Sequence, residues 1–338
     1  MELDEATALL KNLKNKSISE IAKKYSENEL ADALNICYSK DRSLVNESID
    51  KAIEVYTLSG RILTVKALLL LSEKRDQDAL NLLSLVPHED EYFLSCVELM
   101  GMIFMNNYQF ERGIKTFDAI LTQADSPKNQ SFVYQQRSIC NQYLGNFTEA
   151  LTDSMKAAQM FYAEEEFFKE VLMNLRLCIT NKLLSEIKVS VKEFEKFCYE
   201  TMEEYYVYGP YLFLMELEFL RRNFPKTAEL YTDFGESELT DFIQEFESRF
   251  EEMKTFSVLL EKYDEVKAKI DAIPKPRQPY SIRPGKPAIT MSDFETAVMK
   301  YVDQKEPFQK ELDKIKKKLC KLNQEDFDIF EALSGDQL

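Results

Sequence analysis

The sequence predicts an all-α fold: an α-solenoid of stacked antiparallel helix pairs with a C-terminal helical extension. Three observations carry this. Leu, Lys, Glu, Ala and Met, all good helix formers, are abundant, and Gly is rare, 8 in 338 residues. Apolar residues recur at helical spacing in segment after segment. Helix–turn–helix units also repeat, and the small residues of their second helices, Ala79, Gly113 and Ala150, stand 34 and then 37 residues apart. A sheet protein of this size needs more turn residues and more Val, Ile and Thr.

Residues 1–29 read as an N-terminal helical cap. Leu3, Ala6, Leu9, Leu10 and Leu13 form a helical stripe. Ser17-Ile-Ser-Glu20 and Ser26-Glu-Asn-Glu29 are capping boxes, in which Ser and Glu satisfy free amides at a helix start. Residues 30–236 read as the repeats. A degenerate unit spans 30–58, with Ala52 and Tyr56 in its second helix. The next carries Ala67, Asp76, Ala79 and Leu83, followed by Pro87. A third runs from Val97 to Phe104, turns through Asn-Asn-Tyr-Gln-Phe110 and continues through Gly113 and Phe117. The clearest lies between Phe132 and Met160. Its Leu-Gly-Asn-Phe turn calls for Gly145, Phe147 opens the second helix, and Ala150 is small where two backbones approach. Ile187 follows after another 37 residues and Ala228 after 41.

Beyond the repeats, 237–273 is one long amphipathic pattern suited to covering the open face of a terminal repeat, with Phe242, Phe246, Phe250, Met253, Phe256, Leu259, Leu260, Tyr263 and Val266. Residues 274–290 read as a Pro-rich basic linker. Five Pro and four basic residues, with no acid, fall in 274–287. In the tail, 291–338, Ser292-Asp-Phe-Glu295 predicts a helix start with Phe294, Val298, Tyr301 and Val302 on its stripe, and Pro307 predicts an interruption. A basic helix, Lys310 to Lys321, follows. Phe327, Ile329, Phe330 and Leu333 then form a short apolar stripe among acids, suited either to folding back on the protein or to docking as a motif on another subunit.

The units around Gly101, Phe110, Gly113 and Phe117, and around Ser138, Phe147 and Ala150, resemble the tetratricopeptide repeat, a family of 34-residue antiparallel helix pairs. Ser154 departs from its pattern where an aromatic is favoured in the second helix, and two units earlier Asp76 replaces the aromatic after the turn. The resemblance covers roughly residues 30–235. It implies a superhelix whose concave groove is lined by first helices, and it puts Glu98, Met102, Met105 and Asn106, then Gln135, Gln136, Ile139, Gln142 and Tyr143, on that groove. A subclass of the family grips chaperone-tail carboxylates with Lys and Asn. The corresponding positions here hold Glu98 and Met102, and one unit earlier Thr64 and Leu68, so that clamp is not expected. Ala52-Ile-Glu-Val-Tyr-Thr-Leu-Ser-Gly-Arg61 also resembles a stretch of the soluble attachment proteins of membrane fusion, which implies a trafficking adaptor as the alternative role.

The formal net charge is −16 and disfavours nucleic acid and anionic membrane as partners. Residues 1–272 hold 31 basic and 48 acidic residues, so the main body carries the acidity and suits a partner with a basic face. The six Cys are scattered, and His88 is the sole His, which fits neither a zinc site nor a disulfide framework. No apolar run approaches the ~18 residues of a membrane span. A reducing compartment, cytoplasm or nucleus, is expected. No nucleotide-binding, hydrolase or metalloprotease motif occurs, and the acid pairs read as solvated faces. The chain is therefore expected to be a non-catalytic scaffold or adaptor, without cofactor or metal, that binds a peptide or amphipathic helix of another protein.

Overall fold

The computed structural model describes every residue except 14, 123–125, 206, 236–241, 277–289 and 334–338. Most of the expected linker and the last five residues lie outside that set. Among the described residues there are seventeen α-helices and no strand. The chain divides into two compact units, Met1–Asn174 and Leu175–Leu338. The division falls inside a helix, where no shift of composition marks it in the sequence.

Unit 1 opens with α1 (Leu3–Leu13), α2 (Ile18–Lys24), α3 (Glu27–Tyr38) and α4 (Arg42–Val55). The predicted stripe of α1 buries Ala6, Leu9, Leu10 and Leu13 against α3 and α4, while Leu3 stays exposed. Lys51 Nζ reaches back to the Leu13 carbonyl at 2.9 Å and supplies a donor at the C-terminus of α1. Both capping carboxylates form: Glu20 and Glu29 each accept from a serine N–H at 2.8 Å, which lowers the pKa of both acids. Then come α5 (Gly60–Ser72), α6 (Asp76–Leu83), α7 (Phe93–Asn106), α8 (Phe110–Leu121), α9 (Pro127–Leu144) and α10 (Phe147–Met160), with α11 (Glu165–Thr180) spanning the division. From α5 to α10 each helix packs on the next; α5 also packs on α7, and α7 on α9.

Unit 2 continues with α12 (Leu184–Glu204), α13 (Tyr208–Leu220), α14 (Phe224–Gly235), α15 (Ile243–Asp271), α16 (Met291–Leu322) and α17 (Gln324–Ala332). All thirteen residues of α13 are buried. The long amphipathic pattern is α15, which buries Phe246, Met253, Phe256, Leu260, Tyr263, Val266 and Ile270. Two expectations at α16 are corrected. Its N-cap is Thr290, whose hydroxyl accepts from the Asp293 N–H at 3.2 Å, so Ser292 lies inside the helix. Pro307 does not interrupt it, and the helix runs unbroken for 32 residues. A mid-helix proline costs about 3 kcal/mol and one backbone hydrogen bond. Pro307 itself is exposed, and the buried residue of α16 is Leu319, twelve residues further on.

Five helix-to-helix turns among the described residues share one backbone device. Each places a residue in the left-handed region: Lys74 (φ 60°), Tyr108 (54°), Gly145 (78°), Lys182 (62°) and Arg222 (61°). The next N–H then donates back five residues, Arg75 to Leu70, Gln109 to Phe104, Asn146 to Asn141, Leu183 to Cys178 and Asn223 to Glu218, each at 2.9 Å. This closes the helix end as a Schellman motif does. Successive turn residues stand 34, 37, 37 and 40 apart.

Counting from these turns fixes the register. Seven residues before each lie Ala67, Gly101, Ser138, Leu175 and Met215; five after lie Ala79, Gly113, Ala150, Ile187 and Thr227; all ten are buried. Ala228, expected in that last slot, is half-buried and one place out of it. Thr227 fits the slot because its hydroxyl donates to the Asn223 carbonyl at 3.1 Å, which satisfies its polar atom inside the core. The two glycines answer to close approach. A Cβ on Gly101 would stand 1.9 Å from Gln136 Oε1, and one on Gly113 would stand 2.8 Å from Cys140 Sγ.

Candidate protein-interaction surface

The first helices α7 and α9 position most of the candidate groove residues. On α7, Glu98, Met102 and Asn106 are exposed and Met105 is half-buried, with Met102 at 53%. Spacing of three and four puts them on one side of the helix. On α9, Tyr143 is exposed at 63%, and Gln135, Ile139 and Gln142 are half-buried. Gln136 belongs elsewhere. It is buried and lies over Gly101, so it serves the α7–α9 contact and is not offered to a partner. The Gly at 101 is what admits the longer side chain, a pairing that spacing alone did not reveal.

An aromatic cluster extends this face toward the α7–α8 turn. Tyr143 stacks on Phe110 with centroids 4.8 Å apart and planes 2° apart, and Tyr108 meets Phe110 edge-on at 6.2 Å. Phe117, fully buried, meets Phe104 edge-on at 5.9 Å in the core behind. Phe147 is half-buried at the start of α10.

Where Ser154 replaces the expected aromatic, the core is polar. Asn174 Nδ2 donates to Ser138 Oγ at 3.0 Å and Ser154 Oγ at 3.1 Å, and Ser138 Oγ donates to the Ala150 carbonyl at 3.0 Å. Beside them Glu170 is buried, its Oε1 finds no hydrogen-bond partner, and desolvation pushes its carboxyl up to about 7. Nearby, Arg137 grips buried Asp153 through Nε at 2.8 Å and Nη2 at 2.6 Å and also pairs with Asp118. These residues wall a cleft of about 400 Å³ with Thr148, Thr152 and Lys156. The arginine is already neutralised there by two carboxylates.

In unit 2 the tail stripe is core. Phe327, Ile329 and Phe330 are wholly buried and Leu333 nearly so. Phe330 sits 5.2 Å from Phe219 and 5.5 Å from Phe256, and Phe327 sits 5.6 Å from Tyr263. Four buried charges pin the start of α17. Arg176 donates to Asp326 and Glu216, both at 2.7 Å; Arg249 donates to Glu216 at 2.6 Å and to Asp326 at 2.9 Å. Burial opposes ionisation of both acids. The two guanidiniums outweigh it at Glu216, held well below the carboxylate range, while burial prevails at Asp326, which is raised. The sequence signal for this cluster was Glu216 and Glu218 standing in the otherwise apolar run Tyr208–Leu220.

His88 Nε2 lies 3.2 Å from Glu89 in the α6–α7 loop. Cys37, Cys96, Cys140, Cys178 and Cys198 are free and buried, and Cys320 is half-buried. Burial raises the Cys96 and Cys140 thiols to about 11, which makes them inert hydrophobes at neutral pH. Among the described residues no helix is long and apolar enough to cross a membrane. Compared with protein-family models, curated proteins and solved structures, the chain matches none.

Proposed function

We propose that the protein is a non-catalytic protein–protein interaction scaffold. In this reading it is a tetratricopeptide-like superhelix that holds a partner's peptide or helix against its first helices. The observation that carries this is the recurrence of one turn geometry every 34 to 40 residues, with the same two positions buried on either side of it and small residues there in the first three units. A preformed face of that kind binds without reordering the scaffold. On α7 and α9 it presents Met102, Met105, Ile139 and Tyr143 with the amide of Asn106, while half-buried Gln135 also serves Glu170 and Gln142 Nε2 lies buried, a face that suits an amphipathic segment. Glu98 and Met102 stand where a carboxylate clamp would need Lys and Asn, which argues against a chaperone tail as the ligand. The free thiols favour a reducing compartment, cytoplasm or nucleus.

The test is affinity capture with the full chain, set against a folded Met102→Ala/Gln135→Ala/Tyr143→Ala variant. The expected result is one or two stoichiometric partners lost by the variant. If the variant retains every partner, the assignment of this face is wrong.

A further inference from the structure

We propose that the α7–α9 face of unit 1 takes a cationic amphipathic helix. Its apolar side would lie on Met102, Met105 and Tyr143, and its lysine or arginine edge would lie along Glu98. This rests on the scaffold reading and names the chemistry of the partner.

The charge pattern points to the sign. Between Arg75 and Arg112 there is no Lys or Arg in 36 positions, where His88 stands beside seven acids, Asp76, Asp78, Glu89, Asp90, Glu91, Glu98 and Glu111. Those positions include all of α7 and the turn beyond it. Glu98 is exposed one helical turn from Met102 on the same side, and Glu91 and Glu111 are exposed before and after the helix. The α9 half of the face adds Gln135, Ile139, Gln142 and Tyr143 and no charge. Asp76, Asp78, Glu89 and Asp90 have partners within the protein, which leaves exposed Glu98, flanked by Glu91 and Glu111, to repel an acidic edge and attract a basic one.

The apolar part is adaptable and outward-facing. Met102 is 53% exposed, and methionine moulds to varied apolar partners. Tyr108 is the telling residue. It occupies a left-handed position, φ 54°, where the other four turns hold Lys74, Gly145, Lys182 and Arg222. That conformation is unfavourable for any residue that bears a side chain. The ring is nevertheless 81% exposed and recovers only an edge contact with Phe110, so its surface is turned away from the protein's own core. With Tyr143, it gives the face two rigid aromatic anchors of the kind that dominate protein interfaces.

The probes are two synthetic helices of about 16 residues, long enough to hold helical structure. Both carry Leu at helical spacing, one with Lys and the other with Glu on the flanking positions. Affinities are measured by titration calorimetry against the full chain and against folded Met102→Ser and Tyr143→Ser variants. The Leu–Lys peptide is expected to bind, the Leu–Glu peptide to bind at least about tenfold more weakly, and each variant to weaken Leu–Lys binding about tenfold. Glu98→Lys is expected to narrow the gap between the two peptides. Equal binding of both peptides overturns the charge assignment and leaves the scaffold reading standing. Leu–Lys binding that ignores Met102 and Tyr143, or no binding at all, removes the helix from this face. Loss of the scaffold reading itself is read separately, from the capture experiment.

Discussion

Glu170→Gln is the most informative single substitution in unit 1. The native carboxyl is buried, one oxygen has no partner, and its pKa stands at about 7 against an ordinary 4.5. Desolvation is the main cause. Ser138 and Gln135 pull the value down only in part, and Asp153 adds to the rise. The folded protein therefore holds a proton that the unfolded chain releases. A raised folded-state pKa contributes stability that is complete below pH 4.5 and is lost as pH climbs through 7. At 1.36 kcal/mol per unit, the loss is about 3 kcal/mol. Glutamine keeps the shape and cannot ionise. Urea unfolding followed by circular dichroism, with wild type and variant each at pH 5 and pH 8, gives the double difference. The variant is expected to gain roughly 2–3 kcal/mol on wild type between the two pH values. A double difference under about 0.5 kcal/mol would show that water or a rearranged neighbour solvates the carboxylate, and the burial argument would fail.

Three further outcomes follow from the same packing. Gly101→Ala would gain about 1 kcal/mol from helix propensity on an open helix, but here it is expected to lose 1–3 kcal/mol, because its methyl meets Gln136; Gln136→Ala added to it should recover most of the loss in a double-mutant cycle. Asp326→Ala is expected to cost about 3–5 kcal/mol in unit 2 unfolding, since it strips Arg176 and Arg249 of a buried counter-ion, and Phe330→Ala to cost a similar amount through the cavity it leaves; a tail that docked on another molecule would make both nearly silent in the isolated protein. Tyr108→Gly is expected to raise thermal stability by up to about 1 kcal/mol while weakening capture of the Leu–Lys helix, and a drop in stability would mean the exposed ring is a structural element after all.

Much of the helical layout was legible in the sequence. The stripe from Leu3 to Leu13 became α1 end to end, Gly101 and Gly113 fell where neighbouring side chains fill the space of a Cβ, and Ala150 is wholly buried. What spacing could not fix were features that depend on a partner elsewhere in the chain. Thr227 outcompeted Ala228 for a buried slot through a hydrogen bond to its own helix. Gln136 shared a helix face with half-buried Ile139 and exposed Tyr143 yet went inward, because a glycine on α7 left room. The tail stripe read equally well as a docking motif until Arg176 and Arg249, 150 and 77 residues away from Asp326, were placed beside it.

The turn residues have a wider consequence. Lysine, tyrosine, glycine, lysine and arginine close five junctions with the same amide-to-carbonyl link, so the path of the chain there is written in main-chain bonding and leaves the side chain nearly free. Substitutions can accumulate at such junctions without bending the polymer differently. Two chains of this design can thus follow one course through space while sharing few letters. Their kinship would be audible in the rhythm of the left-handed residues long after it had faded from the spelling.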